Sequence, residues 1–170
     1  MGREIRKVPP NWQHPHTKDD YGRMRAQPMY DRTFAEAALA WKEELAKWER
    51  GERPDYCTDD SRNLEYWEWD GDPPTREYYR TYDSADATWF QLWETVSEGT
   101  PVSPPFATLD ELAEHLAEHG DDWDQSRGHG GWGIKRAKAF CADGWAPSCA
   151  VVDGKFLEGT ELALHMKERA

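Results

Sequence analysis

The sequence predicts an α+β fold: a small antiparallel sheet packed with three or four helices and joined by long loops. Three observations carry this reading. Apolar residues recur at helical spacing between Thr33 and Arg50, side chains alternate between Ala87 and Val96, and a capping signature at Thr108 opens a second helical stripe. A length of 170 residues fits a single domain spanning 1–170, with 1–30 as an extended N-terminal arm packed on it.

The arm carries six basic and three acidic side chains. Pro9, Pro10, Pro15 and Pro28 exclude a long helix there, and Ile5, Val8 and Trp12 supply its apolar contacts. From Thr33 to Arg50, Phe34, Ala37, Ala38, Trp41, Leu45 and Trp48 share one helical face, and Gly51 ends the run. Residues 52–75 hold a net charge of −6 and read as loop, because Pro54, Gly71, Pro73 and Pro74 interrupt them. Arg76–Tyr82 and Ala87–Val96 are rich in aromatic and β-branched residues and read as two antiparallel strands joined around Asp83-Ser84-Ala85-Asp86.

Ser97–Pro105 reads as a loop delivering the chain to Thr108, which caps the next helix with Glu111 returning the bond. Leu109, Leu112, Ala113 and Leu116 form that helix's buried stripe, and Gly120 stops it. Residues 108–124 hold seven acids and no Lys or Arg. A loop over Gly128–Gly133 precedes a short basic helix from Ile134 to Ala142 that ends at Gly144. Ser148–Val152, an Asp153-Gly154 turn and Lys155–Leu157 read as a hairpin, with Thr160 as the cap of a last helix.

Composition bounds function. A net charge of −12 and a pI of about 4.9 argue against ordinary phosphate-driven nucleic-acid binding and adhesion to anionic membranes, and suit either a protein partner with a basic surface or solubility alone. The apolar fraction is 38%, so the ten Trp, seven Tyr and five Phe must fill much of the core. An odd number of cysteines, Cys57, Cys141 and Cys149, suggests a reducing cytoplasm, and the N-terminus has no apolar run of signal-peptide length.

Four patterns bear on chemistry. His115 and His119 stand four apart on one helix, as metal ligands often do, but the Glu after the first His is missing and the cysteine spacing is wrong, so no metal and no cofactor are expected. Cys141 or Cys149 with His129, oriented by Asp143, would make a thiolate–imidazole pair, but small apolar neighbours read instead as buried structural cysteines, and no catalytic residue is assigned. Gly128–Gly133 lacks the GK[ST] ending of a phosphate loop; an amide nest around Gly130, Gly131 and Trp132, with Lys135, Arg136 and Trp145, is a candidate anion or ligand site. Finally, Glu65, Tyr66, Trp67, Glu68, Trp69 and Asp70 form an anionic patch carrying rings, and Asp110, Glu114 and Glu118 a second acidic face; together they are the candidate protein-binding residues. Alternate rings of the first patch entering the core, with the acids facing water, is the competing reading.

The blocks Arg3-Glu4-Ile5-Arg6 with Val8-Pro9-Pro10-Asn11-Trp12, Ser97-Glu98-Gly99-Thr100-Pro101-Val102-Ser103-Pro104 leading into Thr108–Ala113, and Gly144-Trp145-Ala146-Pro147-Ser148 with Val152-Asp153-Gly154-Lys155 resemble a widespread family of small tailed-phage and prophage proteins. The resemblance spans nearly the full chain and brings no catalytic residues with it. The chain departs from the commoner pattern at an Asp- and His-rich 119–131 insert and an extension from Thr160 to Ala170. The family carries no assigned role; the resemblance taken together with the clustered acidic charge leads to the expectation of an accessory protein of the infected bacterium's cytoplasm that binds and inhibits a host protein, a defence or nucleic-acid-processing factor, as a nucleic-acid mimic would. A nucleotide-binding, sponge-like protein with Trp123, Trp132 and Trp145 converging on Lys135 and Arg136, and a minor virion component, are the alternatives.

Overall fold

The computed structural model describes residues 2–96 and 98–167. Ser97, in the loop block above, and Glu168–Ala170, at the end of the C-terminal extension, lie outside the described residues. In chain order the elements are β1 (Arg3–Val8), β2 (His16–Lys18), β3 (Met24–Ala26), β4 (Tyr30–Thr33), α1 (Phe34–Glu49), α2 (Tyr66–Asp70), a 3-10 turn at Arg76–Tyr78, β5 (Tyr79–Arg80), β6 (Trp89–Glu94), β7 (Thr100–Pro101), α3 (Leu109–His119), α4 (Asp122–Arg127), α5 (Ile134–Asp143), β8 (Trp145–Ala146), β9 (Cys149–Val152), β10 (Lys155–Glu158) and α6 (Gly159–Lys167). The fold is α+β with small, mainly antiparallel sheets. The chain forms two compact units, Met1–Met29 with Tyr82–Ala170, and Tyr30–Thr81.

The larger unit is built on a four-stranded sheet ordered β7-β6-β1-β8. β1 pairs with β6 along its whole length, from Arg3↔Glu94 to Val8↔Trp89, so the start of the expected arm is a central strand. Pro9, which cannot donate to a ladder, closes it. Directly opposite residues of an antiparallel pair share a face. Ile5, Leu92 and Phe90 therefore lie on one face, against Leu112, Ala113 and Leu116 of α3 and Ala137 and Phe140 of α5. Val8, Trp89 and Trp93 lie on the other, with Met29, Tyr82 and Ala87.

Arg6 also sits on that second face. Its Cζ lies 4.4 Å from the centre of the Trp93 ring, and its guanidinium donates to the Met29 carbonyl at 2.5 Å and the Glu98 carbonyl at 3.0 Å. Gly99, at φ +91°, lets the chain pass: a Cβ there would come within 2.6 Å of Arg6 Nη2.

The expected pairing of Arg76–Tyr82 with Ala87–Val96 does not form. The turn exists, with Ala87 donating to the Ser84 carbonyl at 3.3 Å, but both edges of β6 are taken by β1 and β7, and β5 pairs in parallel with β4. Within the expected 97–105 loop, Thr100–Pro101 adds the short edge strand β7, a position that tolerates proline.

The capping boxes explain where helices start. Thr108 accepts from the Glu111 amide at 3.1 Å while the Glu111 carboxylate accepts from the Thr108 amide at 3.1 Å, as expected, and Gly120 (φ +70°) ends α3. Thr33 and Glu36 form a second box at the start of α1. The β9–β10 hairpin turns through Asp153 (φ 50°) and Gly154 (φ 75°), the left-handed pair that a two-residue turn requires. α6 starts one residue before the expected cap: Thr160 lies inside its first turn, and its hydroxyl accepts from Arg136 Nε at 3.1 Å.

The smaller unit packs α1 against α2. Trp48, Cys57 and Tyr66 are buried there, with Trp41, Leu45 and Trp69 around them. The 52–75 segment, expected to be loop, contains α2, where the Glu65 amide donates to the Glu68 carboxylate at 2.9 Å and Gly71 ends the turn.

Candidate functional site

Along α3 the outward residues Asp110, Glu114 and Glu118 fall at i, i+4 and i+8. At 1.5 Å of rise per residue their backbones are about 6 Å apart in a nearly straight row. All three are exposed, with the Asp110 and Glu118 side chains 82% and 78% accessible. The helix folds so because Leu112, Ala113 and Leu116 face the sheet and leave the remaining arc to water. Lys138 of α5 reaches Asp110 at 3.6 Å, and His119 lies 3.6 Å from Glu118. Pairs this exposed contribute little and screen the row only weakly.

His115 does not lie open on this face. Its ring packs 5.0 Å from Phe106 and 5.0 Å from His119, and its buried Nε2 has no hydrogen-bond partner among the described residues. Burial lowers its pKa, with the neighbouring His119 adding to the effect, so the neutral ring is favoured. No group of three or more His, Cys, Asp or Glu among the described residues could hold a metal ion.

The Glu65–Asp70 patch divides by helical period. Tyr66 turns inward and donates to Asp70 at 2.8 Å, Trp69 is half-buried, and Glu68 caps its own helix. Trp67, 55% exposed, and Glu65 face solvent. The competing reading therefore holds: of the three rings Tyr66 and Trp69, three apart, turn toward the core, while Trp67 and the acids Glu65, Glu68 and Asp70 are exposed.

The residues around the glycine loop form a different structure. The Trp132 and Gly133 amides donate to the Leu116 and Ala117 carbonyls at 3.0 and 3.1 Å, closing the end of α3. Gly131 makes the approach possible, because a Cβ there would run into the Ala117 carbonyl oxygen and lie 2.5 Å from the Glu118 carbonyl carbon. Gly131→Ala is expected to destabilise the larger unit by about 1–3 kcal/mol or more, read as a lowered thermal midpoint, with Gly130→Ala, where the added Cβ meets only the strain of a positive φ, as comparison.

Beside this loop lies a polar cleft of about 140 Å³. Trp123, Trp132, Arg127, Arg136, Arg3 and Asp121 contribute to its walls, whereas Lys135 and Trp145 do not. Trp145 is instead an exposed residue of β8, and Lys135 is exposed on α5. The cleft's charges are largely engaged: Arg3 Nε and Nη2 each lie 2.7 Å from Asp121 Oδ2, Arg136 meets Glu158 at 2.8 Å, and Asp124 accepts from the Trp132 indole at 2.6 Å. Trp123 donates its indole N–H to Glu94 at 3.0 Å. The sequence signal for this cleft was faint, since Arg3 and Asp121 are 118 residues apart.

Cys141 is buried, and burial pushes its thiol up to about 11, opposite to what a nucleophile needs. Cys149 is exposed rather than buried: on β9 it points with Val151 away from the partly covered Ala150 and Val152. No helix among the described residues is long and apolar enough to cross a membrane. Comparison with known protein families, with curated proteins and with solved structures finds no match to this chain.

Proposed function

We propose that the chain is an acidic accessory protein that binds and inhibits a host protein through that partner's basic surface. The observation that carries this reading is the row Asp110, Glu114 and Glu118 on α3, evenly spaced, exposed and held on a rigid helix locked by the Thr108–Glu111 box. A regular line of carboxylates offers a surface evolved for backbone phosphates a similar array of fixed charge, which accelerates encounter and sets register. The net charge of −12 acts in the same direction. The resemblance to small tailed-phage proteins supports a defence or nucleic-acid-processing factor as the target and the infected bacterium's cytoplasm as the setting.

Immobilised protein is expected to retain a basic partner from host lysate near 0.01 M salt, where the Debye length is about 30 Å, and release it near 1 M, where it is about 3 Å. Glu114→Lys with Glu118→Lys should abolish retention. Retention that survives both the salt and the reversal would sink the proposal.

A second reading, a small-molecule ligand, draws on the convergence of Trp123, Trp132 and Arg136 in one cleft. Its volume of about 140 Å³ lies below the roughly 300–1,000 Å³ of typical ligand pockets, which restricts it to a small anion rather than a nucleotide.

A further inference from the structure

We infer that the pocket between α1 and α2, walled by Trp48, Tyr56, Tyr66 and Trp69 and edged by Glu44 and Asp70, binds a guanidinium group, the arginine side chain of a basic partner. This rests on the reading that the partner is basic, and it adds which side chain is anchored and where. The pocket holds about 400 Å³ and lies wholly within the smaller unit.

Its rings form a ladder. Trp48 and Trp69 stack at 5.5 Å with planes 23° apart, and Trp69 and Tyr56 continue the stack at 6.0 Å and 27°. The inner end is already capped by a guanidinium: Arg53 Cζ lies 3.7 Å from the Trp48 ring centre, with Arg53 Nη1 donating to the Trp48 carbonyl at 2.5 Å. The outer end is Tyr56, 77% exposed, with no cation over it among the described residues. A ring stack that serves only a core has no need to extend to a tyrosine so open to water.

Charge selects what the outer end takes. Asp70 uses one carboxylate oxygen to accept from Tyr66 and keeps the other, while Glu44 meets, among the described residues, only the exposed Lys47 at 2.5 Å. Such an exposed pair is displaced at little cost. A planar guanidinium stacks on an aromatic face while its edge N–H groups reach carboxylates, which a compact ammonium does less well, so arginine is favoured over lysine. Three carboxylates, Glu44, Glu52 and Asp70, line the pocket against two cations, Lys47, which is paired with Glu44, and Arg53, which lies on Trp48, so the lining as a whole favours a cation over an anion.

The test uses the full chain, isotope-labelled, titrated with N-acetylarginine amide and with its neutral isostere N-acetylcitrulline amide, and follows the indole N–H signals of Trp48 and Trp69. Expected are saturable shifts of both with the arginine probe and none with the citrulline probe. Tyr56→Ala, which removes an exposed side chain and leaves the fold intact, should weaken the arginine probe about two- to fivefold, and Glu44→Gln with Asp70→Asn should weaken it further. Equal shifts with both probes, or a Tyr56→Ala protein that binds as tightly as the parent, would overturn the inference. If the indoles stay silent while partner capture is lost on reversal of α3, the pocket fails and the docking reading stands; if they respond but no basic partner is retained, the docking reading fails and the guanidinium site stands.

Discussion

Asp121→Ala is expected to lower the stability of the larger unit by about 3–5 kcal/mol, because it removes the buried carboxylate that both Nε and Nη2 of Arg3 meet. Asp121 is 4% exposed, and its Oδ2 receives both Nε and Nη2 of Arg3, the first residue of the central strand. Its Oδ1 accepts from the amides of Trp123 at 2.8 Å and Asp124 at 3.0 Å and so caps α4. Loss of that cap alone costs about 1 kcal/mol. Against a typical total of about 5–15 kcal/mol, the combined effect removes a large fraction of the stability. Denaturant unfolding checks it. Asp121→Asn combined with Arg3→Met, which keeps a capping oxygen and strands no charge, should be markedly more stable than Asp121→Ala; equal loss in the two would show that the ion pair does not govern this junction.

Trp93→Ala is expected to cost about 3–5 kcal/mol as well, by cavity formation. The ring is fully buried, with the Arg6 guanidinium on one face at 4.4 Å and the His14 ring edge-on at 5.0 Å. Arg6 depends on it in turn, because a buried guanidinium facing a void loses its cation–π contact. Trp93 Nε1 has no hydrogen-bond partner among the described residues, so Trp93→Phe gives up volume but no bond and should lose well under half of what alanine loses. Thermal midpoints of the two variants, measured side by side, decide this; a phenylalanine variant as unstable as the alanine one would mean that the indole N–H is satisfied after all.

What could be read from the sequence was what depends on near neighbours. The Thr108–Glu111 box, the stripe Leu112, Ala113 and Leu116, the Asp153-Gly154 turn and the end of α5 at Gly144 each involve residues within a few positions of one another, and each is present in the structure, whereas Leu109, expected in the same stripe, is exposed in the first turn of α3. β1 was hidden for the opposite reason. Three of its six residues are basic, a composition that reads as a solvated arm, yet Arg3 and Arg6 are buried because Asp121, the Met29 carbonyl and the Trp93 ring, all remote in the chain, receive them. The parallel pairing of Tyr30 with Tyr79 and the ladder from Arg53 through Trp48 and Trp69 to Tyr56 likewise depend on tertiary packing that no local period encodes.

The candidate acidic faces follow the same division. Asp110, Glu114 and Glu118 could be placed on one side of a helix from their spacing alone, and the structure leaves them exposed. The aromatic patch could not be resolved, because a five-residue helix sets a period of three to four where an extended chain would set two; Tyr66 and Trp69 turn in, and Trp67 is left outside.

The most direct measurement of the central claim is the affinity of the captured partner for the parent protein and for Glu114→Lys with Glu118→Lys, at fixed low salt, after circular dichroism has established that the variant is folded. Both positions are exposed and lysine is as good a helix former as glutamate, so α3 should persist. The account predicts at least about a tenfold loss of affinity, steepest at low salt, from reversing four units of charge on the docking face. An affinity unchanged by the reversal would contradict it.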